Sequence, residues 1–107
     1  MADDIFLVGD VGATHARYAL ASVSSRIYRG EQVLLCVDFD SCEASIEHYL
    51  SHAGIAHVRG ICLAVAGPVV DGKVIFPNNP WKVQEADLSA AFGDAGVLLI
   101  NDFTAVA

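Results

Sequence analysis

Ile5-Phe-Leu-Val-Gly-Asp-Val-Gly-Ala-Thr-His-Ala-Arg-Tyr-Ala-Leu20 is the stretch of sequence that decides the fold. It begins with a short apolar run from Ile5 to Val8 and then reaches a turn that contains glycine. From Ala16 to Val23, larger apolar side chains alternate with smaller or polar ones. This alternation is typical of a half-buried strand. The stretch therefore predicts two antiparallel strands joined by the turn.

Other apolar segments predict the remaining strands. The segment from Arg26 to Asp38 is rich in β-forming residues and predicts a third antiparallel strand. The segment His57–Ala66 carries the apolar run Ile61–Val65, and Gly96–Ile100 is a second apolar run; both are typical of strands buried on both faces of a sheet. Between them, Asp71-Gly72 predicts a hairpin turn within Val69–Phe76.

Two helices are predicted from apolar spacing and capping residues. Asp40 stands three residues before Glu43, which is the spacing of a capping box, and Gly54 can supply the left-handed C-cap. Apolar residues between these ends follow helical spacing. A second, shorter helix is predicted from about Gln84, closed by Gly93. A hairpin unit followed by alternating strands and helices predicts an α/β fold of the ribonuclease-H-like type, a mixed sheet with an antiparallel N-terminal hairpin unit and flanking helices.

The composition restricts the class of protein. A chain of 107 residues with 54% hydrophobic residues predicts one domain with a packed core. The sequence has no apolar run of the roughly 18–20 residues that cross a bilayer, and it begins with acidic rather than basic residues, so we expect a cytoplasmic protein. Six basic and 13 acidic residues give a net charge of −7, which disfavours binding to nucleic acid. The charge does not exclude a nucleotide, because backbone amides and magnesium can neutralise phosphates locally.

The cysteines and two of the histidines lie in segments with an ordinary structural interpretation. We predict that Cys36, Cys42 and Cys62 are buried or half-buried thiols, since none has the close spacing of a zinc site. His48 and His52 stand four residues apart on the first predicted helix, a spacing compatible with shared metal coordination. No glutamate completes a HExxH pattern, which favours a solvated helix face.

The turn after the first strand is a candidate phosphate site. Gly12 allows backbone amides to approach an anion, and Thr14 adds a hydroxyl donor. Asp10 would repel bare phosphate, but it could hold a magnesium ion through water. Arg17 could reach a phosphate or pair with Asp10. The turn lacks the Walker pattern and leads into a strand. Considered alone, the turn is better interpreted as an ordinary turn whose backbone groups are capped by Thr14 and Asp10.

A second candidate site follows the last predicted strand. Asn101 and Asp102 stand at its carboxyl end, where ligands gather in open α/β sheets. In one interpretation, Asp102 caps a helix that begins at Phe103. In the other, the pair binds sugar hydroxyls, and Asp102 accepts the proton of the hydroxyl that attacks a phosphate. Asn78 and Asn79 are ordinary loop residues in the first interpretation. In the second, their amides suit the wall of a sugar pocket, because each can donate and accept hydrogen bonds.

Taken together and in order, four motifs resemble the bacterial glucokinase family and span the chain. They are Leu7–Leu20, Ala64–Val69, Asn78–Trp81 and Leu99–Ala105. The resemblance implies two ribonuclease-H-like lobes that close over ATP, magnesium and glucose, with transfer of the γ-phosphate to the 6-hydroxyl of glucose. Residues 1–107 then form the N-terminal small lobe, truncated after the catalytic-base strand and not expected to turn over alone. The adenine pocket and the rest of the sugar site would lie in the missing C-terminal lobe.

By resemblance, the site residues receive roles. Asp102 is the catalytic base, Asn101 and Asn78 bind the sugar, and the nucleotide and its magnesium are bound by Asp10, Gly12, Ala13, Thr14 and Arg17. The family often has glycine where Ala13 stands and asparagine where His15 stands, so this turn is bulkier. Neither difference removes a proposed catalytic residue.

Two other functions are compatible with the same motifs. One is a non-catalytic sugar-binding regulator, although no basic DNA-binding helix precedes the first strand and Asp102 argues for catalysis. The other is a phosphohydrolase or ATPase, for which the Asn101–Asp102 pair would have no purpose. We also expect that, without the helix predicted after Phe103, apolar sheet surface is bare, which would cause self-association, such as a homodimer, or marginal stability.

Overall fold

The computed structural model describes residues 4–22, 25–77 and 79–101. Within these ranges the chain forms eight strands, two α-helices and a short 3-10 turn at Cys36–Asp38. In chain order the elements are β1 (Ile5–Val11), β2 (His15–Ser22), β3 (Ser25–Leu35), α1 (Cys42–Ala53), β4 (Gly60–Val65), β5 (Val69–Val70), β6 (Lys73–Val74), β7 (Val83–Gln84), α2 (Glu85–Ala91) and β8 (Gly96–Asn101). Neither helix in the described ranges has the length and hydrophobicity of a membrane-spanning segment.

The main sheet has five strands in the order β3-β2-β1-β4-β8. The first three strands form an antiparallel meander, and β4 and β8 add to it in parallel with β1. A second, smaller sheet contains the short strands β5, β6 and β7. The predicted α/β fold with a mixed sheet and an N-terminal hairpin unit is therefore confirmed.

The core lies on one face of the main sheet. Side chains that alternate along the strands, including Leu7, Tyr18 and Leu63, are fully buried and pack with residues of both helices. Tyr18 Oη lies 2.7 Å from Ser45 Oγ of α1, so the polar ends of both side chains are satisfied inside the core. We call this side of the sheet the closed face.

The opposite side of the sheet, which we call the open face, is only partly covered. Phe6, Val8 and Cys62 are half-buried there, while Leu98 is 55% and Ile100 is 42% exposed. The prediction that β8 is buried on both faces is therefore wrong, and β8 is an edge strand of this sheet. An apolar run indicates that both faces of a strand can be buried. It does not show whether the described part of the chain contains the helix or strand that would cover the second face.

Three predicted boundaries also differ from the structure. The N-cap of α1 is Ser41 rather than Asp40, because the Ser41 hydroxyl accepts a hydrogen bond from the backbone N–H of Ala44 at 3.1 Å. The third strand ends at Leu35 rather than at Asp38, since the 3-10 turn Cys36–Asp38 follows it, closed by a hydrogen bond from the backbone N–H of Phe39 to the Cys36 carbonyl at 3.1 Å. The strand β4 begins three residues later than predicted, at Gly60.

Two predicted turns are confirmed by their backbone angles. Gly54 caps α1 with a φ of 71°, in the left-handed region that glycine enters at little cost. Asp71 and Gly72 both have positive φ, 53° and 73°, which is the signature of a tight hairpin turn between β5 and β6.

Candidate functional site

The carboxyl ends of the three parallel strands meet at one edge of the main sheet. In the register of the sheet, Val11 of β1 pairs with Val65 of β4, and Val65 pairs with Asn101 of β8. The turn 12–14 and the turn at Ala66–Gly67 follow two of these strands, and Asn101 is the last residue of β8. The sheet therefore brings the first turn and Asn101 to the same edge, although they are about 90 residues apart in sequence.

The first turn is held by backbone contacts and keeps its outer side exposed. The N–H of Gly12 donates to the His15 carbonyl at 2.9 Å, and Ala13 and Thr14 are exposed. A Cβ atom on Gly12 would meet nothing closer than 3.8 Å. At Gly9, by contrast, a Cβ atom would lie 2.4 Å from the Arg17 carbonyl oxygen. Internal packing therefore requires a glycine at position 9 but not at position 12.

A buried asparagine joins the turn to the loop before β7. Asn79 is 7% exposed, and its side-chain Nδ2 donates to the Gly12 carbonyl at 2.9 Å. Its Oδ1 accepts a hydrogen bond from the backbone N–H of Trp81 at 2.9 Å, and the indole N–H donates to the Phe39 carbonyl at 3.1 Å. We call this set of contacts the Asn79 brace. Sequence reasoning considered Asn79 only as a pocket wall, because nothing local indicates a contact with Gly12.

The end of β8 is tied to the turn that follows β4. Asn101 is half-buried, and its Nδ2 donates to the Gly67 carbonyl at 2.9 Å. A Cβ atom on Gly67 would lie 2.4 Å from the Ile75 carbonyl oxygen, so glycine is required where these segments touch. Of the other predicted site residues, Asn78 and Asp102 lie outside the described residues. Their neighbours in sequence, Asn79 and Asn101, both brace the same edge.

Asp10 and Arg17 lie on the open face, next to this edge. They are directly opposite each other on β1 and β2, and both are exposed. The ion pair that the described residues form with Arg17 comes from Glu31 on β3, with Nε and Oε1 4.0 Å apart. Tyr28 and these three charged residues border an open depression of about 370 Å³. Glu31 was missed from the sequence, because its position diagonal to Arg17, two residues from the paired Val33, depends on the β2–β3 register.

The cysteine next to the turn is a buried thiol. Cys36 is buried, and its Sγ lies 3.8 Å from the Gly12 carbonyl oxygen. Burial raises the pKa of the Cys36 thiol above its usual value, which favours the neutral form. Cys42 is also buried and Cys62 is half-buried, so the predicted burial of all three thiols is confirmed.

The edge therefore carries two kinds of group that can bind a phosphate and its metal ion. The backbone amides of the exposed residues Ala13 and Thr14 can meet phosphate oxygens, and a carboxylate can hold a hydrated magnesium ion. Asp10 is the candidate ligand, and the described residues contain no cluster of three or more metal-binding side chains. One carboxylate is sufficient for magnesium that is bound mainly through water and substrate phosphates.

Comparison with known proteins agrees with this geometry. The family model described as Glucokinase matches residues 7–107. A glucokinase from Marinobacter nauticus is 39% identical over 106 residues, which is 99% of this chain and 33% of that protein. A glucokinase from a Caulobacter species is 41% identical over 109 residues, covering 94% of this chain and 31% of the relative. The crystal structure of a glucokinase from an Antarctic psychrotroph superimposes with a TM-score of 0.86 at 32% identity, over 99% of this chain and 34% of that one.

These matches extend over nearly the whole chain, but the chain spans only about a third of the length of the relatives. The family model covers both the turn after β1 and the end of β8. The strand ends that meet at the sheet edge thus lie inside the matched region. The chain belongs to the glucokinase family.

Proposed function

We propose that the protein of which this chain forms the N-terminal small lobe, residues 1–107, is a glucokinase. It would transfer the γ-phosphate of ATP to the 6-hydroxyl of glucose. The observation that carries this proposal is the register that aligns Val11, Val65 and Asn101 at one sheet edge. This register puts the turn after β1 and Asn101 at the same edge, which supports a cleft there that a second lobe would complete.

The nucleotide side of the proposed site is the turn Gly12–Thr14 together with Asp10 and Arg17. The exposed turn can direct backbone amides at phosphate oxygens, and the room at Gly12 supports close approach by a ligand. Asp10 would hold magnesium through water. Magnesium, when bound, neutralises charge on the phosphates. The Arg17 guanidinium would add a further positive group beside them.

The sugar side is formed by Asn78, Asn101 and Asp102. The braces formed by Asn79 and Asn101 fix the backbone immediately next to Asn78 and Asp102. Rigid neighbours support the proposal, because a general base must be held within hydrogen-bond distance of the proton that it accepts. We assign Asn78 and Asn101 to sugar hydroxyls and Asp102 to the 6-hydroxyl.

In the proposed step, the 6-hydroxyl oxygen forms a bond to the γ-phosphorus while the bond from that phosphorus to the bridging oxygen of ADP breaks. The hydroxyl proton moves to the Asp102 carboxylate. Such a base typically contributes ~10²- to 10⁴-fold in rate. Most of the acceleration comes from alignment of the two substrates and from neutralisation of charge, and both require two lobes. We therefore expect no turnover by the 107-residue chain alone, and we place the ATP-dependent enzyme in the cytoplasm.

The function is tested with the full-length protein, ATP, magnesium and a panel of sugars. Glucose-stimulated release of ADP, together with glucose 6-phosphate as product, is the expected result. Release of ADP that does not depend on sugar would indicate a phosphohydrolase or ATPase. Binding of glucose without release of ADP would indicate a sugar-binding regulator.

The role of the base is tested with Asp102→Asn in the full-length protein. The amide keeps the shape of the carboxylate but cannot accept the proton, so we expect kcat to fall at least tenfold while glucose binding changes little. Isothermal titration with glucose and steady-state kinetics measure the two quantities separately. A variant with a wild-type kcat would exclude Asp102 as the base.

A further inference from the structure

We propose that His48 and His52 form a two-histidine binding site for a divalent transition-metal ion on the exposed side of α1. The site is separate from the proposed cleft and does not depend on the proposed function. The two residues are one helical turn apart, so their side chains leave the same side of the helix. Their ring centroids are 4.2 Å apart and the ring planes are inclined by 38°. The two rings are therefore neighbours on this side of the helix, and the site forms when a nitrogen atom of each ring turns toward one ion.

A hydrogen bond determines which tautomer the neutral ring of His52 adopts. His52 Nδ1 lies 3.1 Å from the backbone carbonyl oxygen of His48. A carbonyl oxygen can only accept, so Nδ1 carries the hydrogen, and in the neutral ring Nε2 then has the lone pair. Histidines that bind metals usually donate their second ring N–H to a carbonyl or carboxylate in this way. His52 is therefore held in the form that a metal requires.

The first ring is also held in place. The ring of Phe39 lies 5.2 Å from that of His48, with the planes inclined by 56°. His48 is half-buried, whereas His52 is exposed. Packing on Phe39 limits the rotamers of His48 before any ion binds, which lowers the entropic cost of binding.

The electrostatic surroundings favour a cation. His52 is in the last turn of α1, where the carbonyl ends of the helix carry partial negative charge. The chain as a whole has a net charge of −7. Imidazole nitrogens prefer copper, nickel and zinc to magnesium, which prefers oxygen. With two protein ligands and the remaining positions occupied by water, the ion would exchange freely and would bind in the order Cu²⁺ above Ni²⁺ and Zn²⁺.

The experiment is a calorimetric titration of the chain with Ni²⁺, Cu²⁺ and Mg²⁺ at neutral pH under non-reducing, thiol-free conditions. We expect one Ni²⁺ and one Cu²⁺ per chain and no measurable Mg²⁺ binding. His52→Gln should weaken Ni²⁺ binding at least tenfold. His57→Gln, which removes a histidine outside the pair, should leave it unchanged. Far-UV circular dichroism checks that each variant is folded.

A matched control keeps the composition and changes only the spacing. In the double variant Glu47→His/His48→Glu, the histidines would be five residues apart and would leave different sides of the helix. Ni²⁺ binding should weaken at least tenfold, as in His52→Gln. In the wild type, Ni²⁺ should raise the urea concentration at the unfolding midpoint, because it binds the folded chain. This rise should be absent in the double variant. Wild-type affinity in either variant would overturn the proposal, as would Ni²⁺ binding that depends on His57 instead.

Discussion

The two faces of the five-stranded sheet differ in what their side chains do. On the closed face, neighbouring strands contribute fully buried residues such as Leu7, Tyr18 and Leu63 to one core with both helices. The open face carries exposed apolar residues, such as Leu98 on β8. It also carries two charged residues, Asp10 and Arg17, which lie opposite each other on β1 and β2. The closed face explains why this part of the chain folds. The open face and its adjacent edge hold the groups available to ligands and to other parts of the protein.

The largest difference between the faces should appear when the same side chain is shortened on each. Leu63→Ala on the closed face removes a fully buried side chain and should lower the free energy of unfolding by about 2–5 kcal/mol. Leu98→Ala on the open face should lower it by less than about 1 kcal/mol, because that side chain is already largely in water. Urea denaturation of both variants measures the contrast. Equal losses would mean that the open face is packed in solution.

Alkaline pH should lower the free energy of unfolding through a buried thiol on the closed face. Burial raises the pKa of the Cys42 thiol from 9.0 to about 12. Above pH 9 the unfolded chain loses this proton while the folded chain keeps it, so the stability present below pH 9 is lost progressively toward pH 12. One such proton gives a slope of up to about 1.4 kcal/mol per pH unit.

The slope is measured as the free energy of unfolding in urea between pH 8 and 10, with a reductant present. Cys42→Ala removes the titrating group, so its stability should fall less steeply over this range than that of the wild type. Each protein is compared with its own value at pH 7, which removes the cost of the smaller side chain. Parallel pH profiles for the two proteins would contradict the assigned cause.

The contribution of the Asn79 brace to the free energy of unfolding should be intermediate. Asn79→Ala removes the donor to the Gly12 carbonyl and the acceptor for the Trp81 N–H, and we expect a loss of about 1–3 kcal/mol in the free energy of unfolding. Asn79→Asp is the matched variant: it keeps the acceptor for Trp81 but sets a carboxylate oxygen against the Gly12 carbonyl, so it should not recover this loss. Thermal and urea unfolding provide the measurement. An alanine variant as stable as the wild type would show that the brace is not formed.

The smallest effect is expected on association. Exposed Leu98 and Ile100 on the edge strand provide apolar surface for a second copy. Leu98→Glu should shift the chain toward monomer at concentrations where the wild type self-associates, with little change in unfolding free energy. Sedimentation velocity over a concentration series measures this shift. A wild-type chain that remains monomeric throughout would remove the open face as a self-association surface.

Features that depend on a few neighbouring residues could be predicted from the sequence. The β1–β2 hairpin, the body of α1 and the turn at Asp71-Gly72 follow from local alternation, helical spacing and glycine chemistry. The predicted N-cap of α1 differs from the observed one by one residue. Asp40 and Ser41 both have a side-chain oxygen that can accept a hydrogen bond, and the backbone conformation places Ser41 at the N-cap.

Features that depend on distant contacts could not be predicted. Pairing of Arg17 with Glu31 requires the β2–β3 register, which contains irregularities after Tyr18. The contact of Asn79 with Gly12 joins residues 67 positions apart. The edge position of β8 depends on what covers it rather than on its own apolar residues. The sequence motifs could be assigned to a common edge, but the hydrogen bonds that hold this edge could not.

The arrangement of the main sheet also has a consequence for the order of folding. The meander β1–β2–β3 needs only short connections, whereas β4 and β8 must each return from a long excursion to pair in parallel. Closing long loops is slow, so we expect the meander to become protected from hydrogen exchange first and β8 last. In a pulsed-exchange experiment, early protection of β8 would contradict this order. Asn101 would then become ordered only after the turn at Gly12 had formed. The two sides of this edge of the sheet would therefore form at different stages of folding.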